Sequence, residues 1–268
     1  MAAARTLSVR ETLRLVRDFL EVALHSLLYI RQVYPPQLFS KAQKYNIEVW
    51  HSRHPALTEY IGRIVQCIDE EMQKGTIKRV ILVITDNTLE ENPLERFVFD
   101  IEWLIPDSKI PKGGEDWVPA EHGLAQGDVE DLLRACFLKM NFAQSRLKRL
   151  PAETSFKVLL EMKDDAPPPE SKAAQQGHVP AEWIPAEQRH GVEEDDTNGP
   201  GVGRGRGSDG MSTISPLERV RLGVLSLDMR VEETAAKFED DDDLMSSGEV
   251  GGGGEIHKMP DRKGKGRA

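Results

Sequence analysis

The chain has 268 residues, 45 Asp+Glu against 35 Lys+Arg for a formal net charge of −10, a 39% hydrophobic fraction and two cysteines. Cys67 and Cys136 are too few for a disulfide framework and fit a reducing compartment. No apolar stretch approaches the roughly 20 residues of a membrane-spanning helix, the first ten residues lack a secretory-signal core, and the acidic balance argues against coating nucleic acid by bulk charge.

From Leu7 to Val33 apolar residues recur at helical spacing, with Leu13, Val16, Leu20, Ala23, Leu24, Leu27, Leu28 and Ile30, up to the stop Tyr34-Pro35-Pro36. So broad an apolar surface predicts a helix buried on most sides. Phe39 to Trp50 reads as a short connector, extended at Ile47 to Trp50. A second helix starts at Pro55 and ends at Lys74-Gly75, with its face on Leu57, Ile61, Ile64, Val65, Ile68 and Met72.

The period then changes. Ile77 to Thr85 is β-branched and nearly continuous, as in a strand covered on both faces. Phe97, Phe99, Ile101 and Trp103 alternate with polar or smaller residues, a half-buried strand antiparallel to the first. Prolines and the pair Gly113-Gly114 mark Ile105 to Gly127 as a loop. A third helix is predicted from Asp128, taken as its N-cap, to Leu147, with Val129, Leu132, Leu133, Cys136, Phe137 and Met140 inward. Phe156 to Met162 is another strand.

From Asp164 the composition shifts to Pro, Gly and acidic residues, with Trp183-Ile184 as an apolar island. Structure returns at Ile214. Leu225, Leu227, Met229 and Val231 alternate strictly with Ser226, Asp228, Arg230 and Glu232, a half-buried strand. The acidic run Asp240 to Asp243, the glycines from Gly251 and the basic end Arg262 to Arg267 lack the apolar surface to order themselves. The expected fold class is α+β, an antiparallel sheet backed by helices, in one domain over 8–234.

Chemistry is sparse. The glycines of 201–207 have no strand before them or helix after, so they read as a linker and not a phosphate loop. His51 and His54 are three apart without a Cys or carboxylate at metal-ligand spacing, and His54 before Pro55 fits a turn closing onto the helix. His25 reads as a hydrogen-bonded core histidine, and both cysteines as small buried hydrophobes. No catalytic constellation, cofactor or metal site is legible. A Trp in a long polar excursion is either tucked onto its own domain or covers something bound.

Several segments resemble the HORMA-domain family, and within it the branch serving as the accessory, non-catalytic subunit of translesion DNA polymerase zeta. These are Phe19-Leu20-Glu21-Val22-Ala23 on to Leu28-Tyr29-Ile30-Arg31-Gln32-Val33-Tyr34-Pro35, Phe39 with Lys44-Tyr45-Asn46, His54-Pro55-Ala56-Leu57 with Tyr60-Ile61, Arg96 to Ile101, and Leu132 to Ala135. Trp183-Ile184, Glu187-Gln188, Pro216-Leu217 and Val231-Glu232-Glu233 are weaker echoes.

The resemblance implies three helices on an antiparallel sheet, and a C-terminal safety belt that wraps a partner's peptide, itself added to the sheet as a strand. The core is then 8–162, the belt 163–234 with a flexible insert at 191–211, and the tail 235–268 is disordered. Tyr60, Leu57, Trp183 and Ile184 match peptide-binding positions, Arg134 a self-association surface, and Ile214, Leu217, Asp228 and Arg230 the contact with a scaffold translesion polymerase. At Asp228 and Arg230 the family's vertebrate-like pattern has an amide and an aromatic. The implied protein is a nuclear, non-enzymatic adaptor that clamps a proline-containing peptide of the catalytic subunit of polymerase zeta. A homodimer or HORMA heterodimer and an AAA+ remodelling ATPase acting on Met1 to Thr6 are further implied partners, with no membrane and no sequence-specific nucleic acid. The alternative within the family is a spindle-checkpoint or meiotic adaptor.

Overall fold

The computed structural model describes residues 5–88, 91–106, 116–119, 123–163, 213–234 and 237. Helix α1 spans Val9–Ile30. Ser8 caps it: the Glu11 N–H donates to Ser8 Oγ at 3.3 Å and the Ser8 N–H donates to the Glu11 carboxylate at 2.9 Å, a reciprocal capping box. Val16, Phe19, Leu20, Ala23, Leu27 and Leu28 are fully buried, so α1 is the central helix its pattern predicts. Phe19 meets Phe137 edge-on at 4.9 Å and Phe99 at 6.4 Å, joining the helix layer to the sheet.

A hairpin follows, β1 (Phe39–Lys44) and β2 (Ile47–Ser52), in antiparallel register from Phe39↔Ser52 to Lys44↔Ile47. The sequence pattern reads this region as a connector. Its tight turn is made by Tyr45 and Asn46, both at positive φ (51° and 57°), the geometry of a two-residue hairpin turn usually signalled by Asn-Gly or Gly-Gly. Helix α2 (Pro55–Lys74) has Pro55 in its first turn, His54 Nδ1 accepting the Leu57 N–H at 3.4 Å, and Gly75 in the left-handed region at φ 73°. His54 thus closes the turn onto the helix, as its place before Pro55 predicts.

The main sheet is antiparallel, in the order β5-β3-β4-β7-β6, from β3 (Ile77–Asp86), β4 (Pro93–Trp103), β5 (Thr154–Met162), β6 (Thr213–Arg221) and β7 (Leu225–Glu233). Helix α3 (Gln126–Ala143) starts two residues earlier and ends four earlier than expected. Asp128 lies inside its first turn, not at its cap: its carboxylate accepts the Ala125 N–H at 3.4 Å. The returning strand is β7, paired along β4 with Phe97↔Val231, Phe99↔Met229 and Ile101↔Leu227. Its Leu225, Leu227, Met229 and Val231 are buried, which is the physical cause of the alternation. A second strand, β6, hides in the sequence because Pro216 interrupts it; the register slips at Pro216/Glu218, an edge irregularity that tolerates proline.

A buried ionic cluster fastens the end of this hairpin. Arg31 at the C-terminus of α1 donates to both Glu95 oxygens at 2.8 and 2.6 Å and to the Lys148 carbonyl at 2.6 Å. Lys237 Nζ pairs with Glu95 and Glu233, and Glu233 also accepts the Lys148 N–H at 3.1 Å. Lys237, three residues beyond Thr234, thus joins the same cluster.

Candidate peptide-binding site

Strand β5 pairs with β3 and with no other described strand, so one edge of it carries unpaired backbone groups. Beside that edge lies an open groove of about 340 Å³, lined by Tyr34, His54, Ala56, Leu57, Tyr60 and Phe156. Tyr60, on α2, meets Phe156 of β5 edge-on at 5.6 Å, and Tyr34 meets the same ring at 6.0 Å. Burial pushes the Tyr60 phenol above its ordinary pKa, partly offset by a hydrogen bond with the Val158 backbone. Burial also raises the Tyr34 phenol. Aromatic faces beside an open strand edge suit an extended peptide: the backbone pairs along the strand and a ring-sized side chain enters the groove.

Of the expected peptide contacts, Tyr60 and Leu57 come together here, Leu57 mostly buried under the groove. Trp183, Ile184 and the 191–211 insert lie outside the described residues. Phe156, Tyr34 and His54 join the groove without having been singled out as ligand contacts. The cue available in the sequence was Phe156 at the start of a strand, one position in a pattern shared with every core strand.

On the far side of the sheet, β6 and β7 present Ile214, Asp228 and Arg230 outward. Ile214 is 60% exposed, and its register partner is Glu232. Leu217 instead turns toward α3, lining a second groove with Lys139, Phe142, Arg146 and Leu147. The four expected scaffold-contact residues are therefore divided between two faces: Ile214 and Leu217 are three residues apart on β6, and strand alternation puts them on opposite sides.

Asp228 stands opposite Asp100 across the β4–β7 ladder, a repulsive placement taken alone. Arg230 and Arg79 both pair with Asp100, Arg230 also with Glu232 at 2.9 Å, and Arg219 lies 3.8 Å from Asp228. Asp228 and Arg230 thus belong to a charge lattice over the sheet's outer face. Arg134 on α3 is half-buried and pairs with Asp131 at 2.8 Å.

Among the described residues, one group has metal-ligating atoms in mutual reach: Glu21, His25 and His51. His51 meets these residues of α1, while His54 caps α2.

The chain matches the HORMA domain family over residues 12–191. It is 31% identical to the mitotic spindle assembly checkpoint protein MAD2B of Danio rerio, over 82% of this chain and 90% of that protein. It is 34% identical to the DNA polymerase zeta processivity subunit of Schizosaccharomyces pombe, over 60% of this chain and 74% of that one. The matched region covers 64% of the MAD2B proteins of Bos taurus and Gallus gallus. Among solved structures, the fold is similar to a chain of the mitotic checkpoint complex, with a TM-score of 0.59 at 20% identity over 82% of this chain and 97% of that one. It is also similar to C. elegans HTP-1 bound to a HIM-3 closure motif, with a TM-score of 0.60 at 15% identity over 85% and 92%. With its three helices, antiparallel sheet and returning C-terminal hairpin, this chain belongs to the HORMA-domain family.

Proposed function

We propose that this protein is a non-enzymatic adaptor that captures an extended, proline-containing peptide along the free edge of β5. The single observation carrying this reading is that edge, flanked by the aromatic groove of Tyr34, Tyr60 and Phe156. Proline-rich segments are stiff and extended before binding, so they lose little entropy on capture. The belt segment carrying Trp183 and Ile184 closes over the bound peptide.

The relative named as a polymerase zeta processivity subunit supports the catalytic subunit of that polymerase as the peptide's source, and a nuclear role in translesion synthesis. The outward face with Ile214, Asp228 and Arg230 would receive the scaffold translesion polymerase. Arg134 would contribute to self-association, which sedimentation of Arg134→Ala checks directly: a shift to the monomer is expected, and an unchanged profile rejects that role.

The test is fluorescence polarisation with proline-containing peptides of polymerase origin. Removing an anchoring aromatic from an interface costs about 2 kcal/mol or more, roughly 30-fold in affinity. Tyr60→Ala and Trp183→Ala are each expected to weaken binding by that order. Unchanged affinity in both rejects the clamp at those residues.

A second reading is favoured by the checkpoint names of several relatives: the same clamp serving mitotic control. Loss of the protein would then abolish mitotic arrest and spare lesion bypass, the opposite of what the polymerase reading expects.

A further inference from the structure

Glu21 and His25 lie one turn apart on α1, and the β1–β2 hairpin folds against that helix, carrying His51 to them. One donor atom from each of the three residues falls within 4.8 Å of the other two. The rings of His25 and His51 are 4.3 Å apart between centroids, tilted by 36°.

His25 is fully buried, and its nitrogens are used unequally. Nδ1 accepts the Ser52 backbone N–H at 3.4 Å, whereas the buried Nε2 has no hydrogen-bond partner among the described residues. Native cores satisfy nearly all such atoms, so an orphan nitrogen on a residue of this donor cluster calls for an explanation.

We infer that Glu21, His25 and His51 bind a divalent transition-metal ion of the zinc class, with His25 ligating through Nε2. Two imidazoles and one carboxylate form a nitrogen and oxygen donor set suited to zinc, and leave a fourth, open position for water. Bonds of about 2.0–2.2 Å draw tetrahedral ligands closer together than the apo spacing, which small side-chain rotations of Glu21 and His51 supply. Ligation at Nε2 puts the ring proton on Nδ1, which must then give up the Ser52 N–H it accepts at 3.4 Å. Burial, with His51 adding to it, lowers the His25 pKa to about 4. The ring is therefore neutral near pH 7, as a ligand must be. Glu21 and His51 are partly exposed, which gives the ion a way in. The ion would staple α1 to the β1–β2 hairpin and stabilise the fold by mass action.

Because His25 sits in the core, the decisive variants are the partly exposed His51→Asn and Glu21→Gln. The test uses the full chain, without an affinity tag and stripped with a chelator, titrated with Co²⁺ as a spectroscopic probe and then with Zn²⁺. The expected result is one Co²⁺ per chain with the visible bands of a four-coordinate site, displaced by Zn²⁺. Each variant should weaken binding by ~10-fold or more, and Zn²⁺ should raise the Tm of the wild type but not that of His51→Asn. Absence of the visible bands overturns the inference, as do equal Co²⁺ affinities in the wild type and both variants, which would put the ion elsewhere on the chain.

Discussion

Arg31 grips Glu95 with two parallel hydrogen bonds of 2.8 and 2.6 Å across 64 residues of sequence, both side chains almost wholly removed from solvent. Lys237 adds a second buried cation to the same carboxylate. The cluster therefore links the end of the central helix, the start of β4 and Lys237, four residues beyond the returning hairpin. Removing one partner of such a cluster leaves an uncompensated buried charge, which costs more than the pair contributes when intact. Glu95→Ala is expected to lower unfolding stability by about 3–5 kcal/mol in urea titrations. Lys237→Met leaves Glu95 paired with Arg31 but strips the buried Glu233 of its cation, so a cost of the same order is expected.

Phe19 of α1 meets Phe137 of α3 and Phe99 of β4, a contact between the helices and the sheet. Phe19→Ala deletes the ring that both others touch and opens a cavity in a fully buried site. The expected loss is about 3–5 kcal/mol by thermal or chemical denaturation. A cost below 1 kcal/mol would mean that the neighbouring rings collapse into the space.

Ser8 offers a smaller and cleaner test. Its side chain accepts the Glu11 N–H at 3.3 Å, so Ser8→Ala should cost about 1 kcal/mol, and Ser8→Gly only a few tenths relative to serine. Equal costs for both would point away from the hydroxyl as the capping group.

The two cysteines should separate by reactivity. Cys136 is fully buried, and burial pushes its thiol up to about 12, which leaves almost no thiolate at neutral pH. Cys67 is partly exposed. A thiol reagent should therefore label at most Cys67 in the native protein, with Cys136 reacting only as the chain unfolds. Fast labelling of Cys136 in native buffer would show that α3 opens locally.

The three helices, β4 and β7 were legible because each has an apolar period set by a buried face, and β3 and β5 because they are dense apolar runs. The β7 pattern is the clearest case: Leu225, Leu227, Met229 and Val231 alternate because one face of the strand is buried in the core beneath the helices. The β1–β2 hairpin was not legible, since its turn uses Tyr45-Asn46 and its first strand is almost entirely polar. β6 was masked by Pro216 and by an exposed, charged composition typical of an edge strand. Tyr60 and Leu57 were found through family resemblance. Phe156 reaches their groove only through the β3–β5 pairing, a contact that local periodicity does not encode. The meeting of His25 with His51 likewise depends on how the hairpin docks, although the Glu21–His25 spacing of one helical turn was visible.

The central claim is that a peptide adds as a strand along β5. Amide hydrogen exchange over Thr154–Met162, followed with and without a bound proline-containing peptide, tests it most directly. Strand addition gives faster exchange at alternate β5 amides in the free protein and marked slowing of those amides on binding, while β3 and β4 change little. A peptide that binds with unaltered Tyr60 dependence yet leaves the β5 amides exchanging as before would contradict strand addition at this edge.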